Sequence, residues 1–205
     1  INIIKYEKKE FISFIRSLSA EYKENGNYGL ARTYLSAAKS FSDFLDNHDI
    51  IISQIDADTV CSYSHWLVQR GVVRNTISFY MRILRAAYNK AVALGYSRQQ
   101  EPFKQVYTGV DKTQKRAVDE SIIQRLCLLD LSSKQHLAFT RDIFMFSYFT
   151  RGMAFVDIAY LRRTDIGYNA LNYIRRKTGQ RLIIHIEPEI RTIIERYDNS
   201  VSPYV

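Results

Sequence analysis

Between Asp58 and Glu101 the chain carries no acidic residue, yet Arg70, Arg74, Arg82, Arg85, Lys90 and Arg98 all lie there. On an α-helix Arg74, Ser78, Arg82, Arg85 and Asn89 share one narrow face, with Asn75 beside it at the helix start. Guanidinium forks, a hydroxyl and carboxamides are the donors that suit phosphate oxygens and base edges. A second acid-free stretch, Ile166 to Ile186, gathers Arg175, Arg176, Lys177 and Arg181 around a turn. Five acids fall between Asp43 and Asp58 instead, so charge is segregated along the chain. One basic helix face taken alone is more plainly a solvated surface. Two basic modules joined by a basic linker suggest more, a clamp that closes on a DNA duplex.

The elements that must position these residues can be read from periodicity. Four helices are expected at about 7 to 23, 28 to 46, 57 to 70 and 76 to 94, with Ile77, Tyr80, Met81, Leu84, Tyr88 and Ala91 forming the core side of the fourth. Asn27 and Asn75 are candidate caps for the second and fourth helices, and Gly71 and Gly95 suit the backbone that follows a helix end. Tyr107 to Arg116 reads Y-T-G-V-D-K-T-Q-K-R, polar and cationic, and Lys112, Lys115 and Arg116 would offer it to a polyanion. The expected organisation is a helical domain over 1–106, a linker over 107–116 and a second domain over 117–205. In the latter, Asp119 caps a helix to about Leu129, a second helix runs from about Ser133 to Phe149, and a short one follows Gly152 to Leu161. Asn172–Arg176 and Arg181–Ile186 read as strands of a hairpin turning at Lys177-Thr178-Gly179-Gln180, and Pro188 opens a last helix to about Tyr197.

Composition narrows the class. The 205 residues are 46% hydrophobic and carry a net charge of +8, which suits a globular protein with a polyanionic partner. Cys61 and Cys127 are isolated, without metal-ligand spacing or a disulfide framework, so no metal and no cofactor is expected and a reducing cytoplasm fits. No apolar run approaches the length needed to span a bilayer, and no secretory signal opens the chain, so no membrane partner is expected.

Three segments carry a family resemblance. T-Y-L-S-A-A-K-S-F-S-D-F-L with R-N-T-I-S-F-Y-M-R-I-L-R-A-A-Y-N-K-A is the first. K-R-A-V-D followed by R-D-I-F-M-F-S-Y-F-T-R-G-M-A-F-V-D-I-A-Y-L-R-R-T-D-I is the second, and R-R-K-T-G-Q-R-L-I-I-H-I is the third. In this order they resemble the tyrosine recombinases of the phage-integrase family, especially integrases of conjugative transposons and related bacterial mobile elements. The resemblance implies a mainly α fold: a four-helix, SAM-like core-binding domain, then the first part of an α+β catalytic domain with a small antiparallel hairpin. It also implies double-stranded DNA as partner, a bacterial, nucleoid-associated setting, and a tetrameric synapse in the full-length protein, with this fragment monomeric. In such enzymes a tyrosine attacks a DNA phosphodiester, arginines stabilise the charged oxygens and a hairpin lysine protonates the leaving oxygen, without metal or cofactor.

Residue by residue, Lys177 matches the lysine of the family's K-T-G turn. Ala154 stands where the family generally has its first arginine, and Arg151, three residues earlier, is the candidate substitute across one helical turn. Asp157 takes the family's acidic position and is read as a structural acceptor. The H-x-x-R box, the later histidine and the nucleophilic tyrosine have no match; Tyr204 lacks the preceding glycine-histidine segment, and His48, His65, His136 and His185 lack the arginine three residues on. The expectation is a chain that binds DNA without cutting it. The competing readings are a non-catalytic relative or regulator that occupies recombination sites, and a helical protein-interaction domain. A metal-dependent nuclease fits poorly, because both basic regions lack clustered carboxylates.

Overall fold

The computed structural model describes residues 8–114, 117–198 and 202–204, and divides into two compact units, Ile1–Gln114 and Lys115–Val205. The first unit holds α1 (Phe11–Glu24), α2 (Tyr28–Phe44), α3 (Ala57–Gln69) and α4 (Arg74–Ala93), with a short 3-10 turn at Ile52–Gln54. Its core is aromatic and aliphatic. Phe11 meets Phe41 edge-on at 6.0 Å, and Phe41 meets Tyr63 at 5.0 Å. From α4 come Ile77, Met81, Leu84, Tyr88 and Ala91, all buried as their helical spacing predicts, while Tyr80 is only half-buried. Burial of a large apolar side chain contributes about 1.5–3 kcal/mol. The stripe therefore sets the rotation of α4 and turns Arg82 and Arg85 outward.

The helix boundaries show where local signals were overruled. The side chain of Asn27 makes no capping bond; the residue's backbone N–H instead donates to the Tyr22 carbonyl, closing the end of α1 after Gly26. The first turn of α1 is capped from a distance, since the Asp49 carboxylate accepts from the amides of Ile12 and Ser13 at 2.8 and 2.9 Å. Asn75 does not cap α4. That helix begins earlier, with Val73 in the capping position and no side-chain cap, and Asn75 lies inside its first turn. Gly71 and Gly95 do take positive φ, 72° and 79°, just after α3 and α4.

The second unit contains α5 (Glu120–Cys127), α6 (Gln135–Phe149), α7 (Phe155–Ala159), β1 (Ala170–Ile174), β2 (Arg181–His185) and α8 (Pro188–Arg196). Asp119 caps α5 through the Ser121 amide. The two strands pair antiparallel, from Ala170 opposite His185 to Ile174 opposite Arg181. Leu171, Tyr173 and Ile184 face a core shared with Phe146, Met153, Leu161 and Ile190. β1 lies two residues earlier than its sequence pattern suggested. Arg175 belongs to the turn, where its carbonyl accepts from Thr178 and Gly179 and its amide donates to Gln180. The described residues are thus mainly helical with one two-stranded sheet.

Asp142 of α6 ties α8 into this unit. Its buried carboxylate accepts from Arg141 Nε at 2.9 Å, Arg196 Nη1 at 2.5 Å and the Tyr197 hydroxyl at 2.8 Å. Burial alone pushes the carboxyl pKa up, but the bonds from Tyr197, Arg196 and Arg141 outweigh it and hold it below 3.8. A depressed carboxylate stabilises the fold fully above its unfolded value, and that contribution fades as pH falls through its folded one. Asp142→Ala is expected to destabilise the chain by about 2–3 kcal/mol in urea titration at neutral pH. The difference from the parent should shrink below pH 3.8; a gap that stayed constant into strong acid would show that the carboxylate's charge contributes nothing.

Candidate nucleic-acid interface

On α4, Arg82 and Arg85 are exposed, and Arg82 has no hydrogen-bonding or ion-pairing partner among the described residues. Their neighbours on the same face are occupied by the chain itself. Asn75 Nδ2 donates to the Asp111 carbonyl at 3.1 Å while its Oδ1 accepts from the Asp111 amide at 2.8 Å. Ser78 is 0% exposed, and its hydroxyl donates to the Gly109 carbonyl at 2.5 Å. Arg74 lies 3.8 Å from the ring centre of Tyr107 and 3.4 Å from the Asp111 carboxylate. Tyr107 donates to that carboxylate at 2.7 Å, and this bond raises its phenol pKa above 10.0. Arg85 reaches the Thr108 hydroxyl at 3.2 Å.

Three residues read from sequence as polyanion donors are therefore committed elsewhere. Ser78, expected from the sequence to face a polyanion, is instead buried with its hydroxyl on the Gly109 carbonyl. Arg74 and Asn75 contact the stretch that was read as linker. Tyr107 and Asp111 were missed as partners of α4; the signal was Asp111 itself, the one acid between Glu101 and Asp119. Lys112 is exposed and has no polar partner among the described residues, and Lys115 and Arg116 lie outside them.

In the second unit the hairpin connection runs over 175–180, with Gly179 at φ 70°. A residue with Cβ would be strained there by about 1–2 kcal/mol. Lys177 and Arg181 are exposed and free of polar partners among the described residues. Arg176 lies over the Tyr160 ring at 4.2 Å, and its amide donates to Asp157 Oδ1 at 3.0 Å. Asp157, 4% exposed, is an acceptor as the sequence reading expected, but the bond it accepts comes from the turn next to Lys177 and not from its own helix. Its Oδ2 is buried without a partner among the described residues.

Arg151 is exposed, and it does not share a helical turn with Ala154 as the sequence spacing suggested. α6 ends at Phe149, Arg151 and Gly152 take positive φ of 58° and 86°, and Ala154 is the capping residue of α7. The left-handed pair breaks the helix between them. His185 is exposed on β2, and Tyr204 packs edge-on against Tyr160 at 6.0 Å.

Residues 10–107 match the phage integrase SAM-like domain family. Over those residues the first unit is similar to phage integrase SAM-like domains. Likeness of fold to solved structures covers most of the chain. A lambda integrase (75–356) dimer bound to a COC′ core site superposes with a TM-score of 0.72 at 13% identity, covering 92% of this chain and 66% of that one. A lambda integrase tetramer bound to a Holliday junction gives 0.70 at 13%, covering 92% and 56%. The Tn1549 transposon integrase with circular intermediate DNA gives 0.67 at 13%, covering 93% and 68%. At such identity the likeness is one of fold. The chain spans from just over half to about two thirds of those chains. No curated protein matches it by sequence. The tyrosine-recombinase resemblance is carried by the family match over the SAM-like domain and by integrase fold over the remainder.

Asp157→Ala should leave the Arg176 amide without its acceptor. Hydrogen exchange at that amide is expected to quicken at least tenfold, with a stability loss of about 1–3 kcal/mol. Unchanged exchange would mean that the strands alone hold the turn.

Proposed function

We propose that this chain is the DNA-gripping part of a tyrosine recombinase that integrates or rearranges a bacterial mobile element. The observation that carries this reading is the pair of acid-free stretches with outward cations: Arg82 on α4 and Arg181 and Lys177 at the hairpin have no polar partner among the described residues, and exposed Arg85 bonds only the Thr108 hydroxyl. Exposed cations without internal partners remain available to release counterions from duplex phosphates. Lys112 and the hairpin residues Arg175 and Arg176 add to that field, as do Lys115 and Arg116. The fold relatives support the same partner, being integrases bound to a core site, a Holliday junction and a circular DNA intermediate.

In the parent enzyme Lys177 protonates the leaving oxygen, from a turn held by Asp157. Arg151 serves as a phosphate clamp, and its exposed guanidinium, without a polar partner among the described residues, suits that role. The fragment, lacking a matched H-x-x-R box and nucleophile, binds DNA without cleaving it. It is a monomer that enters a tetrameric synapse only within the whole protein, in the bacterial nucleoid. One observation favours a second reading, a non-catalytic occupant of recombination sites: Ala154 stands at the family's arginine position, and Arg151 lies on a separate turn.

Duplex binding by this chain should weaken steeply with salt, log K falling by about 0.9 per log unit for each phosphate contacted. Arg82→Ala and Arg181→Ala are each expected to reduce that slope by about 0.9 in fluorescence anisotropy titrations. A salt-independent signal would favour the protein-interaction reading. In the complete recombinase, Lys177→Ala should slow cleavage of ordinary DNA by about 10²–10⁴-fold, with recovery on a substrate whose leaving atom is sulfur and needs no proton. Unchanged cleavage would remove Lys177 from the mechanism.

A further inference from the structure

The stretch Tyr107–Asp111 begins where the SAM-like domain match ends, and it is bound to α4 by more bonds than a passing linker needs. The Asn75 carboxamide grips the Asp111 backbone in both directions, as a neighbouring strand would. Ser78 is sealed beneath the Gly109 carbonyl. Tyr107 folds back so closely that a Cβ on Gly109 would come within 2.8 Å of its ring, which Arg74 stacks on and whose hydroxyl Asp111 holds. Phe103, just upstream, is buried in the domain core.

We infer that Arg74, Asn75 and Ser78 form a clasp that fastens the start of the inter-unit linker to α4, and that they are not DNA contacts. A buried hydroxyl and a carboxamide with both ends satisfied would have to break about three bonds to meet a phosphate. An unmade bond at a buried group costs about 1–3 kcal/mol, so a displaced strap is expensive. The clasp also shortens the reach between the units. From Asp111 to the α5 cap Asp119 a fully extended chain spans about 28 Å, whereas a linker free from Val106 would span about 45 Å. The clasp thereby caps the length of chain left free between the units, which matters where both bind one duplex. This consequence rests on the DNA reading; the clasp itself does not.

Amide exchange tests the clasp with and without DNA. In the unliganded chain the Asp111 amide should exchange slowly, and Asn75→Ala and Gly109→Val should each speed it at least tenfold. Trypsin cleavage after Lys112 should accelerate in both. Gly109→Val removes no donor from α4, and far-UV circular dichroism checks that the helices persist. Adding a saturating duplex should leave the wild-type protection in place. Free exchange at Asp111 in the wild-type chain would overturn the clasp, and so would protection that vanishes on duplex binding, which would return the donors to DNA. Absence of any duplex binding would sink the DNA reading instead, with the unliganded exchange still deciding the clasp.

Discussion

The orientation of α4 is the constraint on which the first unit depends. Ile77, Met81, Leu84, Tyr88 and Ala91 can be buried together on only one side of a helix, and their burial leaves Arg74, Arg82 and Arg85 on the other. No attraction between the arginines and a ligand is needed to present them. The apolar stripe places the cations, and the missing acids between Asp58 and Glu101 leave them unneutralised by near neighbours in sequence. Function then depends on which of the outward groups the chain takes back for its own use.

Periodicity made most helices legible because an apolar stripe leaves a repeating pattern within one segment. Gly71, Gly95 and Gly179 were legible for a different reason, since a tight turn after a helix or strand needs a backbone that glycine tolerates best. What escaped reading was long-range and polar. Asp49 caps α1 from the loop after α2, and Asp111 captures Asn75 across 36 residues. Nothing local announces such pairs, because a carboxylate in a loop and a carboxamide in a helix each have a sufficient explanation in solvent. The strand boundaries slipped for a related reason. Arg175 and Arg176 are compatible with a strand, but Arg175 closes the turn through its own backbone groups and the Arg176 amide finds Asp157.

In the second unit the hairpin turn and the short helix ahead of it are one mechanical piece. Asp157 links α7 to the residue before Lys177, and Tyr160, just past that helix, stacks under Arg176. Motion of the turn therefore drags on α7. Asp142 performs the corresponding service between α6 and α8, with Arg141, Arg196 and Tyr197 sharing one carboxylate. In both cases an aspartate in the interior organises cations or amides drawn from elements far apart in sequence.

Arg151 occupies backbone that an L-residue adopts at a cost. Glycine there would relax the chain, so a preference for stability alone would remove the guanidinium. On the proposed role of Arg151 as a phosphate clamp, thermal tolerance and activity would pull this position in opposite directions, and a variant bred only for heat resistance would tend to discard that cation.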